Sequence, residues 1–158
     1  DDLTQPVLFQ VIGGVTPVPL NTPEVLPNLN TGAINILYSP ALTAEQLQWS
    51  SKLDTVVADV AFLSIGALVL SSKRLDALPQ DLRDIVTDTG KIAASALTKR
   101  IRTEDDAAFD RLKGKMTNVN RSADDKAKWE GIYKQVRQRL ALGTFSPDLI
   151  GKLEALAK

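Results

Sequence analysis

Tyr38 and Ser39 are the residues of this chain best placed to do chemistry. They follow Ala33–Leu37, a run that reads as a brief strand, and they precede Pro40, which opens a helix. The carboxyl end of a strand meeting a helix N-terminus is the usual ligand crevice of open α/β sheets. There a serine hydroxyl can hydrogen-bond a small solute and a phenol ring can cover it. The plainer reading makes Ser39 a helix N-cap and Tyr38 a partly buried ring. Trp49, ten residues on, would present an indole either to the same ligand or to the core, where a tryptophan on an apolar helix face belongs more often.

Other chemistries find little support. The chain contains no histidine and no cysteine, which removes the common general base, thiolate nucleophile and transition-metal ligands together. Asp105-Asp106 sits on what reads as an exposed helical face among Arg100, Arg102 and Arg111, while Asp124-Asp125 falls in a first helical turn that favours negative charge. Neither pair is arranged to divide acid and base roles. Gly13-Gly14 lacks the further glycines and the Lys-Ser or Lys-Thr of a phosphate loop, and reads instead as a helix C-cap. An enzyme is therefore not expected, nor is a cofactor or a metal.

With 158 residues, 44% of them hydrophobic, the chain is long enough for one ordinary core. The 19 basic and 19 acidic residues cancel, so no nucleic-acid footprint is expected. The balance is uneven, because residues 1–72 carry one basic residue, Lys52, against six acidic ones. No run approaches the roughly 20 apolar residues of a membrane span. The first residue is Asp1 rather than methionine, and the chain is expected to have been cut from a longer one.

The elements that would position these residues alternate. Gln5–Val11 reads as a short helix stopped by Gly13-Gly14, Val15–Leu20 as an edge strand interrupted by two prolines, and Thr22-Pro23-Glu24 as a helix start ended by Gly32. After the strand at Ala33–Leu37, Ser39-Pro40 opens a helix carrying Leu42, Leu47 and Trp49. This order is the rhythm of an α/β parallel sheet. Val56–Leu70 is β-rich, with Asp59, Ser64 and Gly66 suggesting a bend. Pro79 opens the longest element, with Leu82, Ile85, Val86, Ile92, Ala93, Ala96, Leu97, Ile101, Ala108 and Leu112 at roughly helical spacing as far as Gly114. Gly90 marks a possible break in it. A short strand at Met116–Asn120, a helix opened by the capping box Ser122–Asp125, and a last helix opened by Ser146-Pro147-Asp148 complete the chain. Trp129 and Tyr133, one turn apart on the first of those helices, read as packing residues.

In combination these motifs resemble the second half of a DctP-type receptor of tripartite ATP-independent periplasmic (TRAP) transporters. The likeness runs through Pro17-Val18-Pro19-Leu20, Pro23-Glu24-Val25, Leu29–Asn35 and Ala44–Trp49, then through Gly66–Ser71 and Leu78–Arg83. It implies an α/β fold of the type II periplasmic-binding-protein kind, mostly the second lobe, with a long bracing helix and a helical C-terminus. The implied segments are 1–58 in the second lobe and 59–78 as the hinge-crossing strand and start of the first-lobe segment. Residues 79–114 would be the long inter-lobe helix and 115–158 the strand and helices returning to the second lobe. The family often carries an asparagine that contacts substrate at the position matching Ser39. Tyr38, Asp59 and Phe62 fall near other cleft-facing positions, and Trp49 joins them as a candidate.

The resemblance implies a non-enzymatic periplasmic solute receptor that closes on a small organic acid and delivers it to the membrane permease subunits. The substrate-gripping arginine and most of the first lobe would lie before Asp1, so the partner expected for this chain is the missing N-terminal lobe or a second copy. The alternative is a helical interaction module that assembles through the long helix without binding solute.

Overall fold

The run Thr4–Ile12 forms helix α1, ending where Gly13 takes a φ of 67° and donates its N–H to the Phe9 carbonyl at 3.1 Å. A left-handed residue at that point favours glycine, since no Cβ meets the following carbonyl. α1 packs on α6, Ala123–Leu140, and buries Leu8 on one side with Val136 and Leu140 on the other. α6 begins with the capping box that its sequence specifies: Asp125 donates its N–H to Ser122 Oγ and the Ser122 N–H returns to Asp125 Oδ2, each at 3.1 Å. Along α6, Trp129 and Tyr133 stack obliquely with ring centroids 5.5 Å apart. Arg137 reaches Glu154 at 2.8 Å and ties α6 to α7, Pro147–Leu156.

These helices make up one compact unit, Asp1–Thr22 with Asn120–Lys158, and Pro23–Val119 makes up another. The chain is represented by a computed structural model that describes residues 3–57 and 64–156. In the second unit α2, Thr22–Thr31, gives way at Gly32 with φ 73°, and the Ile34 N–H turns back to the Asn28 carbonyl at 3.3 Å. α3, Ala41–Gln46, is followed by a 3-10 turn over Trp49–Lys52 and the short strand β1, Thr55–Val57. α4, Ser72–Asp76, precedes α5, Gln80–Lys115, which passes unbroken through Gly90 for 36 residues, about 54 Å at the helical rise. Arg83 fastens the α4–α5 turn by donating to the carbonyls of Asp76 at 3.1 Å and Leu78 at 3.3 Å. The chain then enters β2, Thr117–Val119, which runs parallel to β1 with Thr55 opposite Thr117 and Val57 opposite Val119.

Two expected strands are absent. Val15–Leu20 and Ala33–Leu37 carry no regular structure, and the sheet among the described residues has two strands. A strand is stable only when a neighbour takes up its donors and acceptors. Pro17 and Pro19 lack donors altogether, and the Ile34 amide is already used by α2.

The long helix also departs from expectation, because only Ala108 and Leu112 of its apolar positions are buried. Leu82, Ile85, Ile92, Leu97 and Ile101 face solvent, as do Ile65, Leu68, Val69 and Leu70 in the irregular run before α4. The buried apolar residues of this unit are instead Val25 and Leu29 of α2 with Ala44, Trp49, Ala108 and Leu112, and α3 lies against the last third of α5.

Candidate functional site

Tyr38 and Ser39 end the irregular run after α2, and both are half-buried. Ser39 is not the cap of α3. Its hydroxyl donates to the Pro40 carbonyl at 2.9 Å, and Pro40 itself occupies the N-cap position without a capping side chain. The acceptor for the first turn of α3 comes from another element: the Leu42 N–H donates to Asp105 Oδ1, on α5, at 2.8 Å. A carboxylate is a favourable acceptor there, because the helix dipole and an otherwise orphaned amide both reward negative charge.

One turn further along, Glu45 of α3 binds Arg111 of α5 through both carboxylate oxygens, with Arg111 Nε donating to Oε1 at 2.9 Å and the terminal nitrogen to Oε2. This fork-to-fork geometry is the strong form of the ion pair. The hydrogen bond from Arg111 holds the Glu45 carboxyl below its ordinary range, and Glu45 in turn raises the Arg111 guanidinium. A depressed carboxyl contributes stability that is complete above its ordinary value of 4.5 and is lost as pH falls through the lowered folded value. Thermal melts of the parent and of Glu45→Gln are therefore expected to differ by a constant amount from neutral pH down to about 4.5 and to converge below it. Curves that converge above that value would contradict this assignment.

Between these two contacts Ala108, with 0% exposure, sits where α3 crosses α5. Its methyl group is small enough for the helices to approach closely. The corner at Tyr38-Ser39 is thus carried on α3, and α3 is fastened to α5 at three successive points by Asp105, Ala108 and Arg111.

Trp49 stands apart from the corner. α3, about 9 Å long by its rise, separates it from Ser39. Gln48 then takes a left-handed φ of 62° and turns the indole into the core, where it is 6% exposed. Asp59 and Phe62 lie outside the described residues.

Asp105 was misread in sequence. It is half-buried and bonded to α3, while only its neighbour Asp106 lies on the exposed face expected of both. No local signal distinguishes the two, since Leu42 is 63 residues away. Among the described residues no group of three or more His, Cys, Asp or Glu is arranged to hold a metal, and no helix is long and apolar enough to cross a membrane. Surface depressions along α5 between Ala94 and Asp106 are lined by that helix alone and open to solvent.

The arrangement places a polar corner, Tyr38-Ser39, at the start of a short helix tied to α5 by Asp105 and Arg111. The family model for bacterial extracellular solute-binding proteins, family 7 (DctP), matches residues 6–143 of the 158. Neither the curated proteins nor the solved structures contain a match. With most of its length accounted for by that match, the chain belongs to the DctP family, whose members are TRAP-type extracytoplasmic solute receptors and not enzymes.

Proposed function

We propose that this chain binds a small organic acid at the Tyr38-Ser39 corner as part of a TRAP receptor and delivers it, by lobe closure, to the membrane permease in the periplasm. The observation that carries this reading is the fastening of the corner. A receptor that signals by closing must hold its ligand contacts on a rigid body, so that solute shifts the balance between open and closed states rather than deforming the site. Asp105, Ala108 and Arg111 supply that rigidity for Ser39. Asp59 and Phe62 remain candidates for solute contact, whereas Trp49 is buried in the core and does not touch solute.

The exposed apolar residues of segment 64–70 and of α5 up to Ile101 fit a surface that other residues of the working receptor cover, in keeping with the roles read for 59–78 as hinge crossing and 79–114 as inter-lobe helix. An apolar expanse of this kind is uncommon on a free-standing monomer. Size-exclusion chromatography with light scattering tests this: a stable, well-folded monomer of this chain at high concentration would count against it.

Thermal-shift measurements against an organic-acid panel test the binding itself, on this chain and on a form extended at its N-terminus. The extended form is expected to gain stability with at least one acid in proportion to the logarithm of its concentration. If neither form responds to any acid, the receptor reading gives way to the alternative of a helical assembly module.

A further inference from the structure

The side of α5 that α3 occupies over residues 105–112 is left open earlier in the helix. Leu82, Val86, Gly90, Ala93, Leu97 and Ile101 follow one another at intervals of three or four residues and so share that side. Leu82 and Ile101 are each 45% exposed and Leu97 57%, whereas Asp81, Asp84, Asp88, Lys91, Lys99 and Arg102 are spaced round the opposite side. Gly90 weakens a helix interior, and no other element of this chain comes within 4 Å of where its Cβ would stand, so nothing within one copy uses that space. The stripe reads alike from both ends: Leu82 and Ile101 are outermost, Val86 and Leu97 come next, and the two smallest residues, Gly90 and Ala93, lie in the middle. A stripe of that symmetry complements itself when turned end for end about a two-fold axis, with the closest approach at its small residues.

We propose that a second copy of this chain covers the stripe with its own α5 running antiparallel, Leu82 beside the second copy's Ile101, Val86 beside its Leu97 and Gly90 beside its Ala93. This rests on the reading that the exposed face of α5 is covered in the working receptor, and it names the occupant. Charge sets the direction. Glu104, paired with Arg100 at 2.7 Å, follows Ile101 on the same side, and Arg83 adjoins Leu82 with Asp76 3.7 Å away. In the antiparallel register Glu104 of each copy comes within one helical turn of the other's Arg83, whereas a parallel mate would set Glu104 against Glu104. The antiparallel mate also ends where it must: its α5 starts at Gln80, opposite Thr103, just short of the residues that α3 occupies.

Because the chain has no cysteine, disulfide cross-linking tests the register directly. Leu82→Cys and Ile101→Cys in one chain stand about 28 Å apart along the helix, out of reach of one another. Under mild oxidation the double variant is expected to give a covalent dimer and neither single variant to do so. A covalent dimer from either single variant would show a parallel mate and overturn the proposal. Leu97→Glu, which an isolated copy tolerates at so exposed a position, is expected to weaken self-association about tenfold in sedimentation. Association of the parent without the cross-link would overturn the second copy's placement, and a form extended at its N-terminus that stays monomeric while this chain associates would overturn the second copy as occupant. Either result leaves the reading of a covered surface standing. A parent chain that stays monomeric and folded at high concentration would overturn both together.

Discussion

Trp49→Ala is expected to destabilise the Pro23–Val119 unit by about 3–5 kcal/mol, because removing a buried indole forfeits its transfer free energy and leaves a cavity that the surrounding helices only partly fill. For a domain whose whole stability is about 5–15 kcal/mol, this approaches unfolding at physiological temperature. A urea titration reads the effect as a lower midpoint with little change in slope. The same residue tests whether solute touches the indole. In a Trp129→Phe background Trp49 is the remaining tryptophan, and its emission is expected to be blue-shifted and unmoved by a bound acid. Quenching on addition of solute would place the indole in the ligand cleft instead.

The second large effect is expected at Ala108. Its position at the crossing of α3 and α5 leaves no exposed surface, so Ala108→Leu must insert extra carbon atoms into close-packed space. Overpacking of this kind costs about 1–3 kcal/mol. The consequence for function is more telling than the loss of stability. A leucine pushes α3 away from α5, lengthening the Leu42–Asp105 hydrogen bond and the Glu45–Arg111 fork together. Solute affinity is therefore expected to fall even under conditions where the variant stays folded. Ala108→Gly, which removes volume rather than adding it, should weaken the helix without moving the corner. A leucine variant that is fully folded and binds solute as the parent does would show that the fastening of α3 is irrelevant to the site.

Local signals in the sequence translate directly into structure. The Ser122–Asp125 capping box, the glycine stops at Gly13 and Gly32 and the proline that opens α5 all depend on neighbours within a few residues, and each is found where it reads. Long-range pairing is different. Val15–Leu20 and Ala33–Leu37 have the composition of strands but no partner to pair with among the described residues, and composition does not supply one. Helical periodicity likewise identified α5 correctly and its buried face poorly, since spacing marks which residues share a side of the helix but not whether anything lies against it. Of the candidate site, the Tyr38-Ser39 corner was visible from its place between an extended run and a helix. The contacts that hold it were not. Asp105 and Arg111 read as members of a charged surface, and only the fold brings them to α3.

That separation has a bearing on how the protein comes to be made. The ties to α3 join residues 63 and 66 positions apart, and the only parallel strand pair of the described residues closes a loop of similar span. During synthesis, α3 leaves the ribosome well before Asp105 and Arg111 have been translated, and at about 5–20 residues per second it waits several seconds for them. Through that interval α3 lacks the two side chains that tie it to α5, so the fastening of this corner is completed late in synthesis.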